Sequence, residues 1–341
     1  MRRHHIFMMA ETEIFDLIIV GAGPAGIATA VESKRVGIQK VLLIEKGPRH
    51  SYSIEKLYTP GKRVDKVYLG QDIECEGSVC IVDGTRETVL KTMDQFIEEY
   101  GLEIIANTEV DHIEQVANDL FVITDLEKRQ WRTRTVVIAI GVYGRPNKPN
   151  YPLPSSLKQN IWFDLSQNIP ARSRVLIVGG GNTALEYAQY LYSDHQVTLC
   201  YRGKEFTKAN EVNKKIVSDL EKNRHIEILL ESNVVNICDR QQHPRIEVTF
   251  QDETRRQFDD ILYAIGGTTP ESFLKKVGVT LEGKHPTTSH AYESGIPGLY
   301  LAGDLVSGGK GTIVKAFNTG KTVVWDGLCQ GQLECRIPIS R

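Results

Sequence analysis

An α/β fold is predicted by three stretches of this 341-residue chain: LIIVGAGPAGIATA at 17–30, VLIVGGGNTALEYA at 175–188, and IPGLYLAGDLVSGGKGTIVKAFNTGKTVV at 296–324. The first two each run from an apolar, β-branched segment through a glycine turn into a helical segment, the plan of a Rossmann-like, three-layer ββα unit. The third supplies a short buried strand, a turn and a helix late in the chain.

The composition is compatible with that plan. Charged residues make up 25%, hydrophobic residues 41%, and the net charge is −2, so the balance gives no sign of nucleic acid or an anionic membrane as partner. No apolar run approaches the roughly 18–20 residues of a membrane-spanning helix, and no metal-ligand cluster is expected. Residues 1–13 read as a lead-in, with translation starting at Met8 or Met9 as an alternative to Met1. The six cysteines, Cys75, Cys80, Cys200, Cys238, Cys329 and Cys335, show neither CxxC spacing nor the density of a disulfide framework, which fits a reducing cytoplasm.

In the first unit, Ile14 to Val20 is a buried strand, and Gly21, Gly23 and Gly26 follow at the spacing of a phosphate-binding turn, with Pro24 and Ala25 between them. The first glycine permits the tight turn, the second a close approach of a pyrophosphate, and the third close packing of helix on strand. The helix N-terminus adds free N–H groups and a positive dipole end. The next strand, Val41 to Ile44, ends at Glu45, 19 residues past Gly26 and followed by Lys46, where a carboxylate accepts from ribose hydroxyls.

The second unit repeats the order with Val175 to Val178, then Gly179 and Gly181, then Asn182, Thr183 and Ala184 opening a helix through Tyr192. Its second strand, Val197 to Cys200, ends differently: Tyr201 and Arg202, with Lys204 close behind, stand where the first unit has its acid. Cations there would pair with a 2′-phosphate, so this unit is expected to take NADPH in preference to NADH. In the third stretch, Leu299 to Ala302 reads as a strand, Gly303 as a turn and Asp304 as an acid at its end, before helical spacing from Thr312 and Ile313 to Val324.

GAGPAG, GGGNTA and PGLYLAGD in this order resemble the two-dinucleotide flavoproteins, and the domain sizes resemble their thioredoxin-reductase-like branch; the resemblance covers about residues 14–328. It implies FAD on the first unit, Asp304 on a ribityl hydroxyl, and the helix beginning near Thr312 with its N-terminus at the flavin end where negative charge develops. IAIGVYGRPNKP (138–149) and YAIGGTTP (263–270), with Gly141 and Gly266 ending their strands, resemble the paired crossovers between domains. The implied map is an FAD domain of 14–147 and 269–328, an NADPH domain of 148–268 attached through a hinge, and terminal extensions at 1–13 and 329–341; the resemblance also implies a homodimer.

Several variants of that resemblance lack their residues here. The second unit has no CxxC, only Cys200 and Cys238 far apart. CEGSVC, Cys75 to Cys80, has the CxxxxC spacing of the glutathione-reductase branch but comes 30 residues after Glu45, in extended chain, and reads as ordinary thiols. HPTT at 285–288 reads as a loop lead-in. Bacillithiol-disulfide reductases carry a cysteine where this chain has Ala25, and the FxGxxxH of flavin monooxygenases is absent.

What remains resembles ferredoxin– or flavodoxin–NADP reductases of this type, including flavodoxin–quinone reductases: hydride from NADPH to FAD, then electrons directly to a flavodoxin, ferredoxin or quinone, with no obligatory acid–base residue. The alternatives are a disulfide reductase using Cys75 and Cys80, or a non-catalytic FAD-binding sensor. Residues 46–70 hold six basic against two acidic residues, a local +4 that would steer an acidic carrier or else form an ordinary solvated loop. Within it, Tyr52, Tyr58 and Tyr68 are equal candidates to stack on a flavin ring.

Overall fold

The computed structural model describes residues 13–68, 71–142, 146–165, 168–267, 270–308 and 311–336. Its first sheet has seven strands. Strand β1 (Ile14–Val20) lies parallel between strand β2 (Val41–Ile44) and the strand Gln130–Ile138, and Glu103–Ile105 extends the sheet beyond β2. Burial explains the directions. The strand Gln130–Ile138 alternates exposed and buried residues in its first half, where it pairs antiparallel with Leu120–Asp125. Its second half is buried throughout, and there it pairs parallel with β1 on one side and Leu299–Leu301 on the other. The late strand thus completes the first sheet.

Helix α1 (Pro24–Arg35) follows the first glycine turn, with Gly23 as N-cap and Pro24 at the position where a missing N–H costs nothing. It packs against the helix Ile313–Thr322 so closely that a Cβ on Gly320 would lie 2.8 Å from Thr29 N. The helical spacing read from Thr312 to Val324 corresponds to that helix, capped by the Thr312 hydroxyl, and then a π-helical turn, Val323–Gly327.

A second, five-stranded parallel sheet runs Ile161–Trp162, Asp260–Tyr263, Arg174–Val178, Gln196–Cys200, Ile226–Leu229. A three-stranded antiparallel meander, Val234–Asp239, Ile246–Phe250 and Arg255–Phe258, shares an apolar core with it through Leu176, Ile261 and Val248. The helices Asn182–Leu191 and Glu211–Lys222 belong to the same unit, burying Leu185, Ala188 and Val217 in a core with Ile177 and Leu199.

The chain divides into two compact units: Met1–Ser53, Arg63–Val142 and Thr269–Arg341 form one, Ile54–Lys62 and Tyr143–Thr268 the other. Ile54–Lys62, counted with the first domain on sequence alone, falls in the second unit. The stretch 329–336 is likewise more than an extension, since Cys329 and Cys335 form a disulfide and Arg336 N donates to Val36 O at the end of α1. A second disulfide joins Cys75 and Cys80. These pairs correct the view of the cysteines as unpaired thiols: both close loops of a few residues, and such short spacings carry no framework pattern in sequence.

The lead-in 1–12 with Met8 and Met9, residues 143–145 and 268–269 of the crossovers, and the chain after 336 lie outside the described residues. His285 and Pro286, read as part of a loop, instead pair with Leu281 and Glu282 in a short hairpin, with His285 exposed. Among the described residues no helix is long and apolar enough to cross a membrane, and no group of three or more His, Cys, Asp or Glu could hold a metal ion.

Candidate functional site

The first glycine turn is built by contacts that admit no side chain. Gly21 has φ +107, and a Cβ there would meet Ala139 O at 2.6 Å; a Cβ on Gly26 would lie 2.0 Å from Gly21 O. Around Gly23, by contrast, nothing lies within 4 Å of the Cβ position, so the α1 N-terminus opens onto free space. Glu45, just past β2, accepts from Ala22 N (2.8 Å) and from Gly47 N (2.6 Å), one on each carboxylate oxygen. Each oxygen keeps a lone pair for a further donor. Lys46 is not drawn into this cluster: its ammonium pairs with Glu109 at 2.9 Å on the surface.

The late strand brings the third stretch to the same place. Gly303, at φ +75, sits with its Cβ position 3.0 Å from Ala25 Cβ, and its N–H donates to Thr319 Oγ1. Asp304 therefore emerges beside the first turn. Burial raises its carboxyl above the usual Asp range, and among the described residues it has no hydrogen-bond partner; Gly311 packs directly over it. Thr312 caps the following helix by accepting from Lys315 N, and Ile313 is buried in its first turn. Gly141 has φ +66 and open space around its Cβ position.

In the second unit Gly179 N donates to Cys200 O, tying the turn to the neighbouring strand, and Gly181, like Gly23, has nothing within 4 Å of a Cβ. Ala184 is buried and Thr183 half-buried at the start of the helix. Asn182 serves the loop beyond: its Oδ1 accepts from Asn210 N (2.8 Å) and Asn213 Nδ2 (3.1 Å). Arg202 is exposed at the end of Gln196–Cys200 with no ion pair among the described residues, whereas Lys204 approaches Glu231 only at 3.9 Å, both exposed. The crossovers meet through Asn147, whose N donates to Gly266 O and whose Nδ2 donates to Ile265 O.

Three features escaped the sequence reading. Lys208 forms a parallel bridge with Gly181, which sets a third cation beside the turn. The Tyr201 ring lies against Gly180 and stacks on Phe206. Glu186, four residues after Asn182 and so on the same helix face, accepts from Lys62 Nζ at 2.8 Å and from Asn213 Nδ2 at 3.2 Å. The i, i+4 spacing of Asn182 and Glu186 was the only legible signal of that cluster.

The Lys62 pairing also corrects the basic stretch. Lys46 pairs with Glu109, Lys56 with Asp164, Lys62 with Glu186 and Arg63 with Asp65, so at least four of its six cations are matched to carboxylates, three of those carboxylates coming from elsewhere in the chain. Lys62 further lies over the Tyr58 ring, 4.1 Å from its centroid. A local count of +4 therefore overstates the free positive surface. Of the other tyrosines, Tyr52 packs its Cβ against Gly47, while the Tyr68 side chain lies outside the described residues.

Residues 18–303 match the family described as pyridine nucleotide-disulphide oxidoreductase. The ferredoxin–NADP reductase of Ignicoccus hospitalis is 24% identical over 308 residues, covering 88% of this chain and 93% of that one. The solved bacillithiol disulfide reductase Bdr of Staphylococcus aureus superposes with a TM-score of 0.77 at 24% identity, covering 94% of this chain and all of the other. Thioredoxin reductase of Lactococcus lactis gives 0.74 at 22% identity, covering 92% and 97%. The groups present fit FAD: an open turn at a helix N-terminus suits a pyrophosphate, Glu45 retains acceptor capacity, and the half-buried carboxyl of Asp304, without a partner among the described residues, suits a hydroxyl donor. The chain belongs to the pyridine nucleotide-disulphide oxidoreductase family and is an NAD(P)H-dependent FAD oxidoreductase with a thioredoxin-reductase-like fold.

Proposed function

We propose that this enzyme takes hydride from NADPH on its second unit and passes the electrons from FAD on its first directly to a one- or two-electron carrier, a ferredoxin, a flavodoxin or a quinone. Bound FAD supplies the chemistry, accepting a hydride and releasing electrons singly or in pairs. In the first unit Gly21, Gly23, Pro24, Ala25 and Gly26 shape the pyrophosphate seat, Glu45 holds the ribose, and Gly303 and Asp304 hold the ribityl chain. The helix capped by Thr312 would offer its positive end to the bound flavin. In the second unit the turn from Gly179 to Ala184 seats the NADPH phosphates, and Arg202, with Lys204 and Lys208 nearby, holds the 2′-phosphate.

One observation carries the choice of acceptor: the second unit holds no cysteine pair. Cys200 is fully buried, donates to Ser232 O and has its thiol pushed up to about 12 by burial, while Cys238 stands exposed on another strand. A thiol held protonated is a poor nucleophile. The name of the Ignicoccus relative points the same way.

A second reading has its own support: the Cys75–Cys80 disulfide, together with the Staphylococcus neighbour named as a disulfide reductase, favours electron delivery to a disulfide. An anaerobic NADPH titration of the holoprotein separates the two. Direct transfer requires two electrons per flavin, with reduced flavin accumulating from the first addition; four would show that a cysteine pair shares the electrons and would sink the direct route.

A further inference from the structure

Glu32 is a carboxylate only 1% exposed, in the last part of α1, and neither nucleotide turn uses it. Its partners come from three places. Arg35 lies one turn on, with Nη1 at 3.4 Å. Trp325, presented by the π-helical turn Val323–Gly327, donates its indole N–H to Glu32 Oε2 at 2.9 Å. Ser78 N, inside the Cys75–Cys80 loop, donates to Glu32 Oε1 at 2.5 Å, and Arg35 also reaches Ser78 Oγ.

The loop is tied down elsewhere too. Asn318 accepts from Glu76 N at 3.1 Å and donates to Glu74 O at 2.9 Å. Gly77 packs so tightly that a Cβ there would stand 2.7 Å from Glu32 Oε1 and 3.1 Å from Lys321 Cβ. The contacts of Glu76, Gly77 and Ser78 all lie on the path of the chain between the two cysteines, whose Cα atoms the disulfide holds 5.7 Å apart. Both cysteines are partly exposed, and a solvent-open cleft lined by Arg35, Ser78, Lys321 and Trp325 adjoins the loop.

We propose that Cys75–Cys80 is a reversible thiol–disulfide site, opened by an external dithiol, whose state decides whether the loop stays docked on Glu32 and Trp325 stays held. A thiolate of the dithiol attacks one sulfur, the Cys75–Cys80 bond breaks and the other sulfur leaves as a thiolate. The second thiol of the reagent then resolves the mixed disulfide. Two electrons and two protons end on the cysteines, and the reagent departs as a disulfide. Without its clamp the loop withdraws the Ser78 N–H from a buried carboxylate, water replaces it, and the Trp325 bond to the same carboxylate loosens.

An external partner is favoured over the flavin because the loop meets the C-terminal helix at Asn318 and Lys321. These lie about 9 and about 13 Å along the axis from the Thr312 cap, at a rise of about 1.5 Å per residue. The proposal rests on the direct route in one respect, that the flavin does not reduce this pair, and is indifferent to whether a ferredoxin, a flavodoxin or a quinone receives the electrons.

The test uses the holoprotein purified without reductant. Alkylation before and after dithiothreitol, read by mass spectrometry, reports the state of each cysteine. Acrylamide quenching and emission maximum report Trp325, with W325F subtracted to remove Trp131 and Trp162. Reduction is expected to red-shift the Trp325 emission and raise its quenching. C75S/C80S should show the reduced signature without reductant, and C329S/C335S should keep the dithiothreitol response. Free Cys75 and Cys80 before reduction, or an unchanged Trp325 signal after the pair is shown to be reduced, would overturn the proposal. Reduction of the pair by NADPH alone under anaerobic conditions would also overturn it, by making the flavin the donor.

Discussion

Arg202 stands exposed at its strand end without an ion pair among the described residues, so its charge is available to a ligand at no cost in broken contacts. R202A is expected to lower kcat/KM for NADPH by about 10- to 100-fold, the worth of a charge-assisted pair, while NADH is hardly affected; equal losses with both coenzymes would refute the assignment. Asp304 tells a different story, because burial raises its pKa. With FAD removed, the folded state keeps a proton there that the unfolded chain has released. Stability therefore falls as pH rises from the unfolded value, about 4, through the raised folded one, and this contribution is flat below both. Melting of the apoproteins should show D304N gaining on wild type as pH rises above about 4. A difference that does not change with pH would count against it.

At the scale of elements, glycines set how closely α1 can lie. The Cβ position of Gly26 is 2.0 Å from Gly21 O, a backbone atom that cannot swing away. G26A should cost about 3 kcal/mol or more in urea unfolding and release FAD, whereas G23A, in open space, should fold normally and lose only FAD affinity; matching stability losses would contradict this division of labour. The Lys62–Glu186 pair joins the segment Ile54–Lys62 to the helix Asn182–Leu191, half-buried on both sides. K62E would set two carboxylates together, and its main consequence should be destabilisation by about 1–3 kcal/mol. Thermal melting would show it, and a purely salt-dependent fall in carrier reduction with unchanged melting would restore Lys62 as a steering charge.

At the scale of the molecule, the charges and the cysteines are both arranged by the fold. Cations that crowd one stretch of sequence are matched by Glu109, Asp164 and Glu186, which leaves little of the apparent positive field for steering a partner. Both disulfides lie in the first unit, each beside α1: one loop docks on Glu32, and the residue after the other, Arg336, bonds to Val36 O. Each unit carries one glycine turn, so removing the second turn's function should leave the first intact. G181A is accordingly expected to retain FAD while losing bleaching by NADPH, checked by the flavin spectrum during anaerobic titration; loss of FAD would show that the units do not act separately.

The sequence by itself determined the two glycine turns, the acid Glu45 at the end of β2, the late Asp304 and the α/β class. Each is a local signal, carried by residue types that only one backbone path accommodates, and β1, β2 and Arg174–Val178 lie within a residue of where the apolar runs place them. What only the tertiary structure decided are the pairings: Lys62 with Glu186, Lys46 with Glu109, Ser78 and Trp325 with Glu32, Cys75 with Cys80. Most of these join residues tens to hundreds of positions apart, and Cys75 and Cys80, though near neighbours, give no sign in sequence of the surface their loop docks on. The physical reason is that a charge, an indole or a thiol is compatible with many partners. Which one it meets depends on how sheets and helices bring distant segments together, and no periodicity or spacing records that.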